Sequence, residues 1–267
     1  MEAHTFVVPA YGQSRYLADC LASLSAQSSG SRVVVCTSTP FPGLESLVAR
    51  HGAELAVHAP NRGIGHDWNM ALAQSRSIWT TLAHQDDLYH PDYARAVVSA
   101  GCAQRRPLIV FSDYAERRGE QASAAGTLLR IKRVLLALGF LGRRSIASRR
   151  AKRRVLRFGS PISCPAVTFH RAALDGFRFR EDLRVALDWA AWLDLAERPG
   201  AFVHVPRVLM QHRLHESSET AAGLHDGTRR REDFELLCSL WPPRIARFIL
   251  AAYGGAYAIG QSTARAR

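Results

Sequence analysis

Along the first 115 residues, short apolar runs alternate with stretches in which apolar residues recur every three or four positions. The runs show little polar alternation, which is typical of strands covered on both faces. They predict strands at 5–8, 32–37, 54–59, 78–84 and 107–114. The stretches between them predict helices at 14–27, 43–51, 65–76 and 91–105, the first with Ser14 as its N-cap. This alternation predicts an α/β fold with a mostly parallel sheet and helices on both faces.

The pattern changes after residue 115. Residues 116–126 predict a loop, and residues 128–158 mix apolar side chains with eleven basic ones. That mixture predicts one or two basic amphipathic helices, broken near Gly139–Gly142. A strand at 163–169, a helix at 185–196 and a strand at 201–205 follow, and the tail carries a weak helical signal. We therefore divide the chain into four parts, 1–115, 116–160, 161–220 and 221–267.

Composition narrows the class of protein. The 267 residues are enough to bury a large core, and 47% apolar with 22% charged residues is typical of a globular protein. No apolar run reaches the roughly 18 residues of a membrane span, and the N-terminus lacks the features of a secretory signal. The five cysteines are scattered and form no CxxC pair. These features favour a cytoplasmic protein with reduced thiols.

The net charge of +12 comes from one segment of the chain. Residues 121–174 contain twelve Lys and Arg and no Asp or Glu, whereas the rest of the chain has 23 residues of each sign. This distribution predicts a local basic surface rather than a protein that is basic all over. The apolar stretch "VLLALGFL" at 134–141 lies between two groups of these basic residues.

Polar or turn-forming residues follow several of the predicted strands. Asp86 and Asp87 come directly after the strand at 78–84, and the other strand ends fall at 9–11, 36–38 and 60–61. In parallel sheets, ligands bind beyond the carboxyl ends of the strands. Two adjacent carboxylates repel each other, and burying either one without a partner is costly. The placement therefore favours a bound cation or ligand over a solvated loop.

Five stretches in order resemble the family 2 glycosyltransferases, which have the Rossmann-like GT-A fold. They are "FVVPAYGQSRYLADCLASLSAQS", "NRGIGHDWNMALAQS", "AHQDDLYHP", "LDWAAWLDLA" and "QHRLHESSET". The resemblance covers about residues 4 to 217. It implies inverting, metal-dependent transfer of a sugar from a nucleotide-diphospho-sugar to an acceptor hydroxyl, in cell-surface polysaccharide or glycolipid synthesis.

The same resemblance gives roles to the four parts of the chain. Residues 1–115 correspond to the nucleotide-sugar-binding half and residues 161–220 to the acceptor half, which carries the catalytic base. Residues 116–160 form a basic helical insertion, and residues 221–267 form a helical tail. A divalent Mn²⁺ or Mg²⁺ ion is expected, because a cation held by carboxylate oxygens neutralises the charge that grows on a diphosphate leaving group.

The resemblance also suggests which residues perform the chemistry. Asp87 is the expected metal ligand, and Asp86 is expected to contact the ribose or a metal-bound water. His215 is a second candidate metal ligand or a phosphate contact, with a purely structural histidine as the alternative; His212 and Arg213 are weaker candidates. Asp188 occupies the place of the general base. The alternative for Asp188 is a structural pair with Arg184, four residues earlier.

Further residues are candidates for contacts to the nucleotide sugar. They are Pro9, Ala10, Tyr11, Thr37, Ser38, Asn61, Asp67 and Asp86. The ring of Tyr11 offers a stacking surface for the base. Many relatives carry an aspartate after the second strand, where this chain has Cys36, Thr37 and Ser38; hydroxyls there can bond uracil, thymine or guanine. Asp67 either supplies the missing carboxylate or caps its helix.

A second departure from the family pattern lies at Gln85, and Asp113 is an additional candidate carboxylate. Gln85 stands where an acidic residue is common in the family, which removes one charge and leaves Asp86 and Asp87. Asp113, at the end of the predicted strand at 107–114, faces the acceptor or, more simply, forms a turn.

Other classes of function fit the sequence less well. A sugar-phosphate nucleotidyltransferase would carry a Gly-rich, basic loop near its N-terminus, and "VPAYGQSRY" is different. A nucleic-acid-binding module is disfavoured because residues 130–156 hold one aromatic residue and no RNA-binding motif, so no nucleic acid is expected as a partner. An inactive relative is disfavoured by the three retained aspartates.

The expected partners are a nucleotide-sugar donor, a glycan or lipid-linked acceptor, and an anionic membrane surface bound through residues 128–157. A short apolar run between basic groups can lie in a membrane interface without spanning the bilayer. The protein would then be cytoplasmic and peripheral on the inner face of the membrane. Alternatively, the apolar run packs on the sheet and its basic neighbours are simply solvated.

Overall fold

We describe a computed structural model of the chain, covering residues 3–215, 223 and 226–253. Its strands are β1 (His4–Ala10), β2 (Arg32–Thr37), β3 (Glu54–Val57), β4 (Trp79–Leu82), β5 (Leu88–Tyr89), β6 (Pro107–Arg118), β7 (Gln121–Ser123), β8 (Ser145–Ile146), β9 (Val167–His170) and β10 (Ala201–Arg213). Its helices are α1 (Leu17–Ser25), α2 (Leu44–Arg50), α3 (Ile64–Ala73), α4 (Tyr93–Cys102), α5 (Thr127–Phe140), α6 (Arg149–Leu156), α7 (Arg171–Leu174), α8 (Leu187–Glu197) and α9 (Thr228–Cys238). Residues 243–253 are also helical.

The strands form one sheet in the order β3-β2-β1-β4-β9-β6-β10-β5, with β7 paired to β6 and β8 to β10. The pairs β1–β2, β1–β4, β2–β3 and β6–β10 are parallel. Strand β9 lies between β4 and β6 and is antiparallel to both. The six main strands therefore point one way, and their carboxyl ends meet at one edge of the sheet. The predicted α/β fold with a mostly parallel sheet is confirmed.

Helices cover the sheet on both faces and enclose two separate cores. Phe6 and Val8 of β1 pack in the core under α1, α2 and α4, whereas Val7 packs in the core that contains Trp189 and Trp192 of α8. Successive side chains of a strand point to opposite faces. Both faces of β1 are thus buried, which is why its sequence reads as an uninterrupted apolar run.

Three predicted boundaries are wrong, and strand pairing explains the first two. The predicted loop at 116–126 instead continues β6 to Arg118 and returns as β7. The last predicted strand, 201–205, extends to Arg213 because β10 pairs with β6 along that length. The strand predicted at 163–169 begins only at Val167, after a short 3₁₀ turn at 164–166.

The basic segment forms two helices, α5 and α6, as predicted, with β8 in the break between them. Leu136 and Phe140 of α5 and Val155 of α6 belong to the core that contains Trp189. The two helices approach closely at Gly139, where an added Cβ would lie 2.5 Å from a methyl carbon of Val155. None of the helices within residues 3–215 and 226–253 is both long enough and apolar enough to cross a bilayer.

Candidate active site

The carboxyl ends of the main strands border a cavity of about 560 Å³. Eleven of the candidate residues from the sequence line it: Pro9, Ala10, Tyr11, Asn61, Asp67, Asp86, Asp87, Asp188, His212, Arg213 and His215. They come from five separate stretches of the chain, which the parallel strands bring to one edge. The cavity is the place in the described structure where these candidates meet.

Asp87 is held by the end of β10. Directly after it, β5 pairs antiparallel with β10, which sets the carboxylate against His212 and Arg213. The backbone N–H of Arg213 donates to Asp87 Oδ1 at 2.8 Å, and His212 Nδ1 lies 3.1 Å from the same oxygen. Burial lowers the pKa of His212, but the charge of Asp87 and its hydrogen bond more than offset this effect, so the pKa lies above its usual value. The Asp87 side chain is only 1% exposed.

Asp86 faces a different set of partners. The hydroxyl of Ser14 donates to Asp86 Oδ1 at 2.8 Å, and His215 Nε2 lies 3.2 Å from Oδ2. The ring of Tyr16 lies beside that of His215, with 5.1 Å between the centroids. Ser14 was predicted as the N-cap of α1, which is wrong: α1 begins at Leu17, with Tyr16 at the N-cap position.

The side chains around Asp86 and Asp87 suit a divalent cation. Carboxylate oxygens and imidazole nitrogens are ligands that Mn²⁺ accepts, and Mg²⁺ binds mainly to carboxylates. Within the described residues, no group of three His, Cys, Asp or Glu side chains converges as a complete metal site. Ions of this class are commonly held by one or two carboxylates together with substrate phosphates. The donor set present here fits that arrangement.

Gln85 links the ends of β1 and β4. Its Oε1 accepts from the backbone N–H of Tyr11 at 3.1 Å, and its Nε2 donates to the backbone oxygen of Tyr11 at 3.2 Å. An amide can make both bonds, whereas an ionised carboxylate can only accept. With Gln85 in place of the acidic residue expected from the family pattern, both bonds to Tyr11 can form. The Tyr11 side chain itself remains 61% exposed beside the cavity.

The base-binding candidates around β2 and α3 are arranged in two layers. Asp67 lines the cavity and accepts from the Ser38 hydroxyl at 3.0 Å, and His58 Nε2 lies 3.6 Å from its other oxygen. The alternative that Asp67 caps its helix is wrong, because Gly63 is the N-cap of α3 and no side chain caps it. Thr37 is buried, and its hydroxyl accepts from the backbone N–H of Thr39, so its side chain serves a turn.

Burial also governs the thiol at the end of β2. It raises the pKa of Cys36 to about 12, with a further contribution from the charge of Asp67. Cys36 is therefore a neutral core residue at ordinary pH.

Asp188 lies in the first turn of α8 and lines the same cavity as Asp86 and Asp87. The backbone N–H of Trp189 donates to its Oδ1 at 2.6 Å. Burial raises the pKa of Asp188 above its usual value, although Arg229 and Lys132 oppose this shift through their positive charge. The alternative role for Asp188 was a structural pair with Arg184. In the structure, Arg184 Nη1 donates to Asp226 at 2.8 Å.

The start of α8 is capped from a distant helix. Glu232 of α9 accepts three backbone N–H groups, from Arg184 at 2.8 Å, Val185 at 2.9 Å and Ala186 at 2.8 Å. These donors precede the first turn of α8, where a negative charge is favourable. Glu232 thus fixes the backbone from which Asp188 projects.

The sequence profile of a family described as glycosyltransferase like family 2 matches residues 3–230. The chain belongs to this family. The predicted resemblance is therefore confirmed, and the protein is a glycosyltransferase. A comparison with curated proteins finds no match.

Solved glycosyltransferase structures share the fold. The 1–349 fragment of S. aureus TarS is 15% identical, with a TM-score of 0.63 over 94% of this chain and 70% of that one. The mannosyltransferase PcManGT from Pyrobaculum calidifontis, solved with GDP-Man and Mn²⁺, is 18% identical, with a TM-score of 0.63 over 96% of this chain and 75% of that one. The GT-A fold is confirmed by these likenesses. The end of the "QHRLHESSET" stretch, 216–220, lies outside the described residues.

Several residues that line the cavity of this glycosyltransferase were missed in the sequence. Lys132 Nζ of α5 donates to the hydroxyl of Tyr114 at 2.8 Å, and both residues line the cavity together with Arg229. His84 also lines it, with its ring 5.0 Å from that of Trp68. The position of His84 beside Gln85 at a strand end could have drawn attention to it. Lys132 and Arg229 carry no such signal, because helix packing alone brings them to the site.

Asp113 does not form the turn that was one of its two expected roles. It lies within strand β6, which continues four residues further to Arg117 and beyond. Its Oδ1 lies 2.9 Å from His204 Nε2, and both side chains line a second cavity of about 310 Å³. It is not among the residues that line the larger cavity in the described part of the chain.

Proposed function

We propose that the protein is an inverting, metal-dependent glycosyltransferase that moves a sugar from a nucleotide-diphospho-sugar to an acceptor hydroxyl. The observation that carries the proposal is the meeting of Asp86, Asp87 and Asp188 in one cavity. Two of these carboxylates come from the end of β4 and one from the start of α8. That separation gives one group of carboxylates for the diphosphate and one for the acceptor.

A nucleotide sugar is the expected donor for three reasons. The chain belongs to a glycosyltransferase family, TarS has been solved with UDP and UDP-GlcNAc, and PcManGT has been solved with GDP-Man. In this chain, Asp67 and Ser38 would contact the base, Tyr11 would stack on it, and Asn61 lies on the same wall. An ionised carboxylate such as Asp67 accepts hydrogen bonds, which suits the N–H edge of uracil or guanine.

The residues that would hold Mn²⁺ or Mg²⁺ are Asp87, Asp86 and His215. A bound cation supplies charge neutralisation at the departing diphosphate. His212 and the N–H of Arg213 fix the orientation of the Asp87 carboxylate, and Ser14 does the same for Asp86. These contacts hold two carboxylates side by side, that of Asp87 buried and that of Asp86 half-buried.

Asp188 would act as the general base. It takes the proton from the acceptor hydroxyl while the acceptor oxygen bonds to the anomeric carbon, and the bond between that carbon and the phosphate oxygen breaks. Attack from the face opposite the leaving group inverts the configuration. A carboxylate whose pKa is raised by burial is a stronger base than an exposed one, which suits this role.

We further propose that residues 128–157 bind an anionic membrane surface, which would place the protein at the inner face of the membrane in cell-surface polysaccharide or glycolipid synthesis. Val134, Leu138 and Leu141 are exposed large apolar residues in this segment, and Arg130 and Arg143 are exposed beside them. Leu136 and Phe140 instead pack in the core, so the packing alternative describes only one face of α5. The domain boundaries at 115, 160 and 220 remain a prediction.

The proposal is tested first by donor binding. Asp87→Ala should abolish Mn²⁺-dependent binding of UDP and GDP, measured by isothermal titration calorimetry, while the melting temperature shows a folded protein. Asp87→Asn keeps an acceptor for the Arg213 N–H and should show the same loss. Asp194→Ala, an exposed aspartate of α8, is the matched control and should bind normally. Unchanged Mn²⁺-dependent binding in both Asp87 variants would overturn the proposed metal site.

A further inference from the structure

One face of α5 carries large apolar side chains that the fold leaves partly uncovered. Leu128, Ile131, Leu135 and Leu138, here called the apolar stripe, recur every three or four residues and so lie along one side of the helix. Leu128 and Ile131 are exposed, and Leu138 is 62% exposed. Contiguous exposed residues of this kind mark binding sites in soluble proteins.

The apolar stripe begins inside the candidate active site. Leu128, Ile131 and Leu135 line the same cavity as Asp188, whereas Leu138 lies one turn further along, outside that lining. The stripe therefore runs from the cavity to the protein surface without interruption. Phe158, which is 40% exposed, adds an aromatic ring to the cavity lining.

Polar groups accompany the part of the stripe that lines the cavity. Lys132 projects from α5 into the cavity beside Tyr114, and Asp188 lies close enough for its charge to act on Lys132. The helix thus presents a cation inside the cavity, and the apolar stripe offers hydrocarbon from the cavity out to Leu138. A purely polar oligosaccharide would leave the hydrocarbon uncovered, since its hydroxyls gain nothing from such a surface.

We infer that the acceptor is an amphiphile, whose polar end reaches Asp188 and whose single apolar chain lies along the apolar stripe of α5. This inference rests on the proposed function and names the class of its acceptor. If α5 also rests in a membrane interface, the outer end of the stripe lies where lipid chains begin. An acceptor chain could then enter the cavity from the bilayer without crossing water.

The test uses n-alkyl β-glucosides with 6, 8 and 10 carbons, each below its micelle-forming concentration. Their Kd is measured by isothermal titration calorimetry in the presence of saturating UDP or GDP and Mn²⁺. Full burial of a methylene contributes about 0.8 kcal/mol, so a half-covered methylene is worth roughly a twofold gain. Two added carbons should therefore lower Kd about fourfold.

Variants of the stripe locate the effect. Ile131→Gln and Leu128→Gln should each reduce the gain per added carbon, because they replace hydrocarbon on the cavity wall with an amide. Ile78→Gln makes the same change at an isoleucine of similar exposure that is not part of the described cavity lining, and it should keep the full gain. Equal Kd values for the three chain lengths, or an undiminished gain in both stripe variants, would overturn the inference.

Nucleotide binding on the same samples separates this inference from the proposed function. Mn²⁺-dependent binding of UDP or GDP with no dependence on chain length would overturn the amphiphilic acceptor and leave the transferase. Dependence on chain length without any nucleotide binding would overturn the transferase proposal and leave an amphiphile site.

Discussion

The strand ends that carry Asp86 and Asp87 differ from helix α5 in how firmly the rest of the chain holds their functional groups. Asp87 receives hydrogen bonds from the end of β10, and Asp86 receives one from Ser14 before α1. On α5, Leu136 and Phe140 anchor the helix in the core, while the neighbouring face is apolar and exposed. The donor side of the cavity is thus bonded in advance of any ligand.

Because the strand ends and helix α5 are held differently, we expect them to bind their ligands in different ways. Charged groups that are already hydrogen-bonded and buried lose little entropy when a charged ligand arrives, which favours a donor site of fixed geometry. The apolar face of α5 gains free energy only when something covers it. We therefore expect this face of α5 to depend on a partner, either an amphiphile or a membrane surface, for part of its burial.

The largest expected effect comes from Asp188, the proposed general base. Asp188→Asn keeps the shape of the side chain and the bond from the Trp189 N–H, but an amide cannot accept the proton. Turnover should fall by a factor on the order of 10² to 10⁴, while Kd for the nucleoside diphosphate changes little. Single-turnover kinetics with the cognate donor and acceptor measure the first quantity, and calorimetry measures the second. Near-normal turnover would assign Asp188 a structural role.

An intermediate effect is expected for membrane binding. The variant replaces four exposed arginines by glutamine: Arg130, Arg143, Arg144 and Arg150. A basic residue close to an anionic leaflet contributes about 1 kcal/mol, so the loss of even two such contacts should weaken binding roughly 30-fold. Co-sedimentation with phosphatidylserine-containing vesicles at low salt measures the change, and high salt should weaken wild-type binding as well.

A charge-matched control distinguishes this surface from net charge alone. It replaces four exposed arginines on other parts of the molecule by glutamine: Arg50, Arg76, Arg105 and Arg106. This control should keep most of the vesicle binding. Equal weakening in the two variants, or no binding by the wild type at low salt, would contradict a specific docking surface on α5 and α6.

The smallest effect is a displacement of the pH profile. Asp188 accepts a proton only when ionised, so activity should rise as pH rises through its pKa. The positive charge of Lys132 lowers the pKa of Asp188, and Lys132→Met should therefore move the acidic limb of kcat/KM to higher pH. Tyr114→Phe removes the hydroxyl that Lys132 bonds but keeps the charge, and it should move the limb less. An unmoved limb in Lys132→Met would show that the lysine does not act on the base.

The sequence predicted where Asp86 and Asp87 lie because the signals around them are local. The apolar runs of β1, β2 and β4 predict buried strands, and polar residues at their ends then fall at one edge of a parallel sheet. Asp86 and Asp87 follow from that placement together with the family motif. The link between Gln85 and Tyr11 does not, because it joins residues 74 positions apart.

The region from β7 to α6 was less predictable, because its contacts come from strand pairing and helix packing. Strand β7 is short, polar and exposed, so it carries no apolar pattern and exists only through its pairing with β6. Lys152 looked like another solvated basic residue, yet it is buried and its Nζ donates to the backbone oxygens of Leu195 and Arg198 at the end of α8. Lys132 reaches the cavity because α5 is anchored on the other side by Leu136.

The family match ends before the last residue that supports the candidate active site. The family match stops at residue 230, two positions before Glu232, whose carboxylate takes the three N–H groups at the start of α8. A chain shortened to the matched region would keep Asp188 and lose the Glu232 cap at the start of α8, which would leave the buried N–H of Ala186 without this acceptor at a cost of about 1–3 kcal/mol. We therefore expect the smallest active fragment to include α9, because a boundary chosen from family similarity alone would remove the support of Asp188, the proposed general base.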